Sequence, residues 1–493
     1  MTPVGAVFTP LDWGRFAVER FGIAEAWLAG SSVLDPTMGE GHLLEALLQA
    51  GIARGHRPDA LPWDRLSGVE IEEGFVRRAR ERFAAEYGLE MEGRFIHGDI
   101  FSSTLPRADI VLANPPWISF ADLPAVAKGR YKELFVEYGL TDDRRKLLLG
   151  SSRIDLAALV IQRTMRDLLA HEGRALFFAP LSILLNDGAH SSFRRYQSGA
   201  VHFALDEVYD FSREKVFPDV GTRYGLLHFT RDRQTRYPLP YHRLEGGAWR
   251  EFAAEPLLDR NAPLTAAAPE QAEALKELKP IEIRKASLPR QGVNTGGANA
   301  LFFFRSCAEE DAEHYRLDNE HILPKDSIYP LLTARNFRHP ESEPERWVLL
   351  PYRQDGKVMS WAEIEEYPRL AEYLLRNRET LSMRKGSMLR ASIDRGFWWV
   401  MLGVGPYSFA PYKIVWEAYG RSSFRPRLFD GRWQANQSLQ AFMPFGVRDE
   451  AERVLGELEN PLIEEYLRSF GMAGTMNWAQ PGKMKRLLRV TCS

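Results

Sequence analysis

The sequence predicts a doubly wound α/β domain in its first half and a second domain of mixed α+β character behind it. Three observations carry that expectation. Between residues 32 and 113, short apolar runs that suit buried strands alternate with helical patterns. Each of four such runs ends in a polar or acidic residue, so four strand ends bring functional groups to the carboxyl edge of one sheet, where open α/β folds place ligands. At 493 residues the chain is also too long for one ordinary core, so two domains are expected.

The first unit is Ser32-Val33-Leu34, a short apolar strand running into Asp35-Pro36-Thr37-Met38-Gly39-Glu40-Gly41. Leu43, Leu44, Leu47 and Leu48 then recur on one helix face. The glycines let backbone approach a ligand closely, but the spacing is not the six-residue dinucleotide fingerprint, and a plain turn has the same composition. Leu66 to Ile71 is the second strand, with Glu70 near its end, where an acid accepts ribose hydroxyls or serves a surface or capping role. A helix from about Gly74 to Tyr87 leads to Arg94 to Ile100, a third strand with Asp99 at its tip. Ala108-Asp109-Ile110-Val111-Leu112-Ala113 is the fourth strand, and it delivers Asn114-Pro115-Pro116-Trp117.

That tetrapeptide suits the gripping of a planar exocyclic amine. The Asn114 oxygen and the Pro115 carbonyl accept both amine hydrogens while the Trp117 ring stacks on the flat substrate. An amine held this way delocalises its lone pair poorly and becomes a usable nucleophile. The same four residues read alone also describe a turn with a buried Trp closing a strand.

Composition bounds the setting. A hydrophobic share of 45% with 26% charged residues is that of a soluble globular protein, and a net charge of −2 requires any nucleic-acid surface to be a local patch. No apolar run reaches membrane-spanning length, and Met1 to Pro10 lacks the basic and apolar segments of a secretion signal. Cys307 and Cys492 are far apart, without metal-ligand spacing, which favours a cytoplasmic protein with no zinc site.

Further along, Arg153 to Val160 begins a helix expected to end near His171-Glu172-Gly173, and Arg174 to Pro180 reads as a buried strand. The texture changes from about Asp232 to Pro280, so the expected domains are residues 1–240 and 241–493. Residues 381–440 carry nine basic residues (Arg384, Lys385, Arg390, Arg395, Lys413, Arg421, Arg425, Arg427, Arg432) against Asp394, Glu417 and Asp430. Phe397, Trp398, Trp399, Tyr407 and Phe424 interleave with them, a pattern suited to phosphate contacts or to a solvated surface over its own aromatic core, with Trp398 and Trp399 as packing residues. Ser119 to Ser152 interrupts the sheet pattern and reads as a basic loop with Lys128, Arg130, Lys132, Arg144, Arg145 and Lys146.

Taken together, these motifs resemble the class I S-adenosylmethionine-dependent methyltransferases, specifically the gamma-class adenine-N6 DNA enzymes of restriction-modification systems. Gly5-Ala6-Val7-Phe8-Thr9-Pro10 resembles their N-terminal cofactor motif, the Asp35 to Gly41 turn their first cofactor motif, and Asn114 to Trp117 their catalytic motif, with Trp117 where Tyr or Phe is usual. Val216-Phe217-Pro218-Asp219-Val220, followed by Tyr224-Gly225-Leu226-Leu227-His228-Phe229, resembles the late motif whose aromatic residue, Phe217 here, packs on the flipped base, a position that an ordinary core phenylalanine also fits. Gln291 to Phe302, Tyr367-Pro368, Ala410 to Trp416 and Asn436-Gln437-Ser438 resemble the target-recognition region more loosely.

The resemblance implies a seven-stranded, mostly parallel Rossmann-like sheet plus a C-terminal α+β target-recognition domain. It implies S-adenosyl-L-methionine as cofactor, held by Thr9, Asp35, Pro36, Thr37, Gly39 and Gly41 at its methionine end. Glu70 and Ile71 would take its ribose and adenine, and Asp99 and Ile100 its adenine amine, with Asn114 alongside. The target adenine would be turned out of duplex DNA and stacked between Trp117 and Phe217, its amine held by Asn114 and Pro115. Lys128, Arg130, Arg384, Lys385, Arg390, Lys413, Arg421, Arg425 and Arg427 are the expected DNA contacts, and a separate restriction or defence subunit is a possible partner, because motif-like residues begin at Gly5 and no nuclease module is recognised. Alternatives with the same amine chemistry are cytosine-N4 DNA, RNA or protein-glutamine methylation, and a noncatalytic DNA-binding subunit.

Overall fold

The computed structural model describes residues 8–141, 154–186, 189–211, 214, 216–217, 223–257, 259–419, 423–469 and 478–491. The sequence expectations on Gly5 to Val7, Arg144 to Lys146, Arg153, Pro218 to Val220, Arg421 and Cys492 lie outside them. Two compact units divide between Lys276 and Glu277.

The first unit opens with α1 (Leu11–Arg20) and α2 (Ile23–Leu28), then alternates strands and helices: β1 (Val33–Asp35), α3 (His42–Ala53), β2 (Leu66–Glu70), α4 (Glu73–Tyr87), β3 (Phe95–His97) and β4 (Ala108–Ala113). Helices α5 (Ala125–Glu137) and α6 (Leu156–Arg163) follow, then β5 (Leu169–Pro180), β6 (Val201–Asp210) and β7 (Tyr224–Arg231). Strands β8 (Leu239–Glu245), β9 (Ala248–Pro256) and β10 (Leu264–Ala267) and helix α7 (Pro269–Lys276) complete it.

The sheet order is β10-β9-β8-β6-β7-β5-β4-β1-β2-β3. From β3 to β5 every pairing is parallel. β7 enters antiparallel to both β5 and β6. Successive residues of the central strands serve opposite faces. Ile110 and Leu112 pack with Leu176, Phe178 and the apolar sides of α1, α3 and α4, whereas Val111 and Ala113 pack with Phe177, Leu159 and Phe135 beneath α5 and α6. Burial on both faces is why these strands read as unbroken apolar runs rather than alternating ones. Leu43, Leu44, Leu47 and Leu48, read as one helix face, all lie in the first of these cores.

Four expectations need correction. Among the described residues the sheet has eleven strands, counting the two-residue strand Gln197–Ser198, rather than seven. The first unit runs past residue 240, because β8 pairs in parallel with β6 and Leu239, Tyr241, Ala254 and Leu264 are part of its core. The helix expected to reach residues 171–173 ends by Leu168; Leu169 is already in β5, paired with Ala108, and the ladder slips before resuming at Ile110 and Arg174. Residues 119–141, expected as a loop, contain α5, which is anchored by the fully buried Phe135 against Phe120.

The second unit is α+β. A four-stranded antiparallel sheet takes the order 290–291, 440–445, 412–417, 427–430. Two three-stranded sheets and a parallel pair (281–284 with 488–491) accompany it. Helix Pro368–Arg376 buries Leu370, Ala371, Tyr373 and Leu374, and Trp398 and Trp399 are packing residues of the same core, as expected. Among the described residues of the whole chain, no helix is long and apolar enough to cross a membrane.

Candidate active site

The ends of β1, β2, β3 and β4 surround one cavity of about 270 Å³. Of the expected cofactor residues, Thr9, Asp35, Pro36, Thr37, Gly39, Glu70, Ile71, Asp99, Ile100 and Asn114 all line it. Gly41 does not. It opens α3 with φ +81°, a left-handed conformation that glycine adopts without strain, so its work is to start the helix. Gly39, with φ +55°, lies beside the Phe8 ring, which a Cβ would touch at 3.2 Å.

The turn after β1 is held by carboxylates. Thr37 N–H donates to Asp35 Oδ1 at 3.0 Å, and Gly39 N–H donates to Glu70 Oε2 at 2.9 Å. Glu72 N–H donates to Glu70 Oε1 at 3.0 Å, so both Glu70 oxygens already brace the site. Each carboxylate oxygen has a second lone pair, which leaves acceptor capacity toward the cavity. Burial pushes the Asp35 carboxyl well above its ordinary range, reinforced by the Glu70 charge and opposed by the Thr37 amide. Burial also raises Glu70, against the hydrogen bonds from Glu72 and Gly39. Among the described residues, buried Asp35 and half-buried Glu70 pair with no cation, which gives the cavity an affinity for positive charge. Exposed Ile71 with Phe75 and Phe8 supplies an apolar wall at the other end.

Asn114 Nδ2 donates to Thr9 Oγ1 at 2.9 Å, which fixes the rotation of the amide and with it the direction of Oδ1. Thr9, expected to hold a ligand, therefore also positions Asn114. Pro115 is buried behind Asn114, and Pro116 lines the cavity. Trp117 lies beyond it: its Nε1 donates to the Phe178 carbonyl at 3.1 Å. Its ring stacks on Tyr224 at 5.4 Å between centroids and 27° between planes. Phe217, 3% exposed, meets Trp117 edge-on at 4.9 Å and 74°. A base between Trp117 and Phe217 requires parallel faces held apart by the thickness of a base, and these rings touch instead. The expected sandwich is not preformed. Tyr224, which the sequence places in the late motif without a stacking role, is the ring that lies face to face with Trp117, and its hydroxyl accepts from the Phe217 N–H at 3.1 Å.

The basic residues distribute differently from expectation. Arg130 of α5 forms an ion pair with Asp99, and its neighbour Tyr131 lines the cavity and meets Phe101 at 5.7 Å. Lys128 donates to the Ala121 carbonyl at 2.5 Å. Arg384 and Lys413, expected on DNA, are 6% and 2% exposed. Arg384 donates to the carbonyls of Leu381, Thr295 and Trp398, and Lys413 to that of Trp433, so both spend their charge inside the second unit. Burial brings the Lys413 amine down to about 8. Arg390 is exposed but pairs with Asp394 at 2.8 Å, and Arg427 donates to the Arg338 carbonyl at 3.0 Å. Lys385 and Arg425 remain exposed cations. His42, Phe75, Tyr131, Leu156 and Val160 line the cavity without having been singled out as ligand residues; each comes from a helix whose packing, not its sequence pattern, selects the face.

The sheet order 3-2-1-4-5-7-6 with an antiparallel seventh strand defines the first unit as a class I methyltransferase fold, followed in the chain by an α+β second unit. No family model matches the chain, and no curated protein matches it. Among solved structures it is similar to the type IIL restriction-modification enzyme MmeI in complex with DNA, at 14% identity and TM-score 0.55, over 95% of this chain and 64% of that one. Thus the chain spans 64% of the length of that enzyme. A nuclease-deletion mutant of the type ISP restriction-modification enzyme LlaGI, in complex with a DNA substrate mimic, matches at 11% identity and TM-score 0.49, over 97% of this chain and 52% of that one. A putative class I S-adenosylmethionine-dependent methyltransferase from Listeria monocytogenes matches at 15% identity and TM-score 0.35, over 49% of this chain and 66% of that one.

Proposed function

We propose that the chain is a DNA methyltransferase that methylates the exocyclic N6 amine of adenine in duplex DNA, in a restriction-modification setting. One observation supports this above the rest: Asn114, at the tip of β4 in the Asn-Pro-Pro-Trp string, shares a single cavity with Asp35, Glu70 and Asp99. S-adenosyl-L-methionine, when bound, supplies an electrophilic methyl group on a sulfonium centre. The residues present fit it: buried Asp35 and half-buried Glu70, paired with no cation among the described residues, suit the positive end, and exposed Ile71 with Phe75 suits the adenine face.

Asn114 Oδ1 and the Pro115 carbonyl accept the two hydrogens of the target amine, and Thr9 holds the amide that does so. The nitrogen lone pair is then directed at the methyl group, and both acceptors strengthen their hold as the nitrogen gains positive charge. Trp117 provides a stacking face for the extruded base once Tyr224 or Phe217 gives way, a contact of roughly 1–3 kcal/mol against the cost of unstacking.

The test is transfer of labelled methyl to duplex DNA by the wild type and by Asn114→Ala. The wild type should label DNA as N6-methyladenine, and the variant should lose at least about 10²-fold in rate, an acceptor comparable to one oxyanion-hole donor, with S-adenosyl-L-methionine binding largely intact because the other lining residues remain. Near-wild-type turnover by the variant would reject the assignment. Labelled cytosine, ribosomal RNA or protein glutamine in place of adenine would redirect it.

A further inference from the structure

We propose that a groove of the second unit, walled by Arg305, Arg346, Asn299 and Asn436, holds a phosphodiester of the bound DNA. It rests on the DNA-substrate reading above, and neither of its cations, Arg305 and Arg346, belongs to the basic stretch 381–440. The groove has a volume of about 840 Å³, large for a free anion and suited to a nucleotide unit.

Its polar lining consists of two arginines, the amides of Asn299 and Asn436, the hydroxyls of Ser306 and Thr333 and the Asp318 carboxylate. Among the described residues neither the Arg305 nor the Arg346 side chain makes a hydrogen bond or an ion pair, whereas Arg316, Arg335 and Arg353 of the same unit hold carboxylates at 2.6, 2.7 and 3.0 Å. Asn299 Oδ1 accepts from Thr295 Oγ1 at 2.5 Å, and Asn436 Oδ1 accepts from the Ser438 N–H at 3.0 Å. Each amide is thereby oriented with its Nδ2 as the group left to offer. Asp318 is the one carboxylate in the lining, and its Oδ1 is taken by the backbone N–H groups of Arg305 and Ser306 at 2.7 and 2.8 Å. That contact fixes the turn that carries Arg305. Two guanidinium forks and two amide donors around one concavity match the acceptor oxygens of a phosphodiester, which guanidinium groups bind bidentately.

The experiment is fluorescence anisotropy of the full chain with a labelled duplex of arbitrary sequence across a salt series. Arg305→Ala and Arg346→Ala should each weaken binding roughly tenfold and lower the slope of log affinity against log salt by about one. Arg305→Lys should retain the slope, because the charge remains. Asn299→Ala and Asn436→Ala should weaken binding with the slope unchanged. Inorganic phosphate at the same phosphate concentration should not displace the duplex; displacement would mean a simple anion site and overturn the proposal. Wild-type affinity and slope in both arginine-to-alanine variants would overturn the groove while leaving the DNA reading intact. A wild-type chain that binds S-adenosyl-L-methionine but no duplex would remove the DNA reading and the groove with it.

Discussion

At Asp35 one carboxyl combines burial, a single backbone donor and a neighbouring acid, and the consequence is measurable. Burial raises its pKa, so the uncharged form persists to higher pH than for an ordinary aspartate. A ligand with a positive end stabilises the charged form. Binding of the proposed cofactor should therefore release a proton, with affinity rising with pH until Asp35 ionises unaided. Calorimetry in two buffers of different ionisation enthalpy, repeated across a pH series, should detect that release, and Asp35→Asn should abolish it along with much of the affinity. Equal heats in both buffers at every pH for the wild type would show that Asp35 does not answer to the ligand's charge. Burial also separates the residues that the sequence placed well from those it misplaced. Asn114, Glu70 and Asp99 were legible because a strand end has only one place to put its side chain. Arg384 and Lys413 were not, because a basic residue among aromatics reads alike whether it faces phosphate or caps carbonyls within the fold.

At the scale of elements, β6, β7 and β8 are tied by one acid. Glu207 on β6 has His228 of β7 at 3.4 Å and His242 of β8 at 3.5 Å, and Tyr209 Oη donates to it at 3.0 Å. Burial alone would raise its pKa, but the contacts from His228, His242 and Tyr209 outweigh that and hold it well below the carboxylate range. A depressed acid contributes stability that is full above its unfolded pKa of roughly 4.3 and is lost as pH falls toward the folded value. Glu207→Gln should lower the melting temperature at neutral pH and flatten the loss of stability below about pH 4, read by thermal melts across a pH series. A variant with the wild-type acid profile would show that the three strands do not depend on this carboxylate. None of this was visible in sequence, because Glu207, His228 and His242 become neighbours only through the sheet order. The helix α5 is a second case: its weakly amphipathic, basic sequence reads as loop, and packing of Phe135 and Tyr131 makes it a wall of the cavity.

For the whole chain, the division at residue 276 has a direct consequence. A fragment ending at residue 240 leaves β6 as an unpaired edge and removes Tyr241, Ala254 and Leu264 from the core. A fragment ending at 276 retains them. The longer fragment should give a cooperative melt and a monodisperse profile on size exclusion, and the shorter one should aggregate; a well-folded shorter fragment would place β8 to β10 outside the folding unit. The expected break at 240 followed a real change of composition around Tyr237-Pro238 and Gly246-Gly247, but those residues mark strand ends and a hairpin, not a domain linker.

The sequence by itself determined the parallel strands, the acids at their tips and the Asn-Pro-Pro-Trp turn, because local hydrophobic pattern and strand-end chemistry are short-range properties of the chain. Only the tertiary structure decided which cations are spent on carbonyls, which ring lies against Trp117 and which strands extend the sheet. Those outcomes depend on groups far apart in sequence meeting where water is excluded, and no local pattern encodes that.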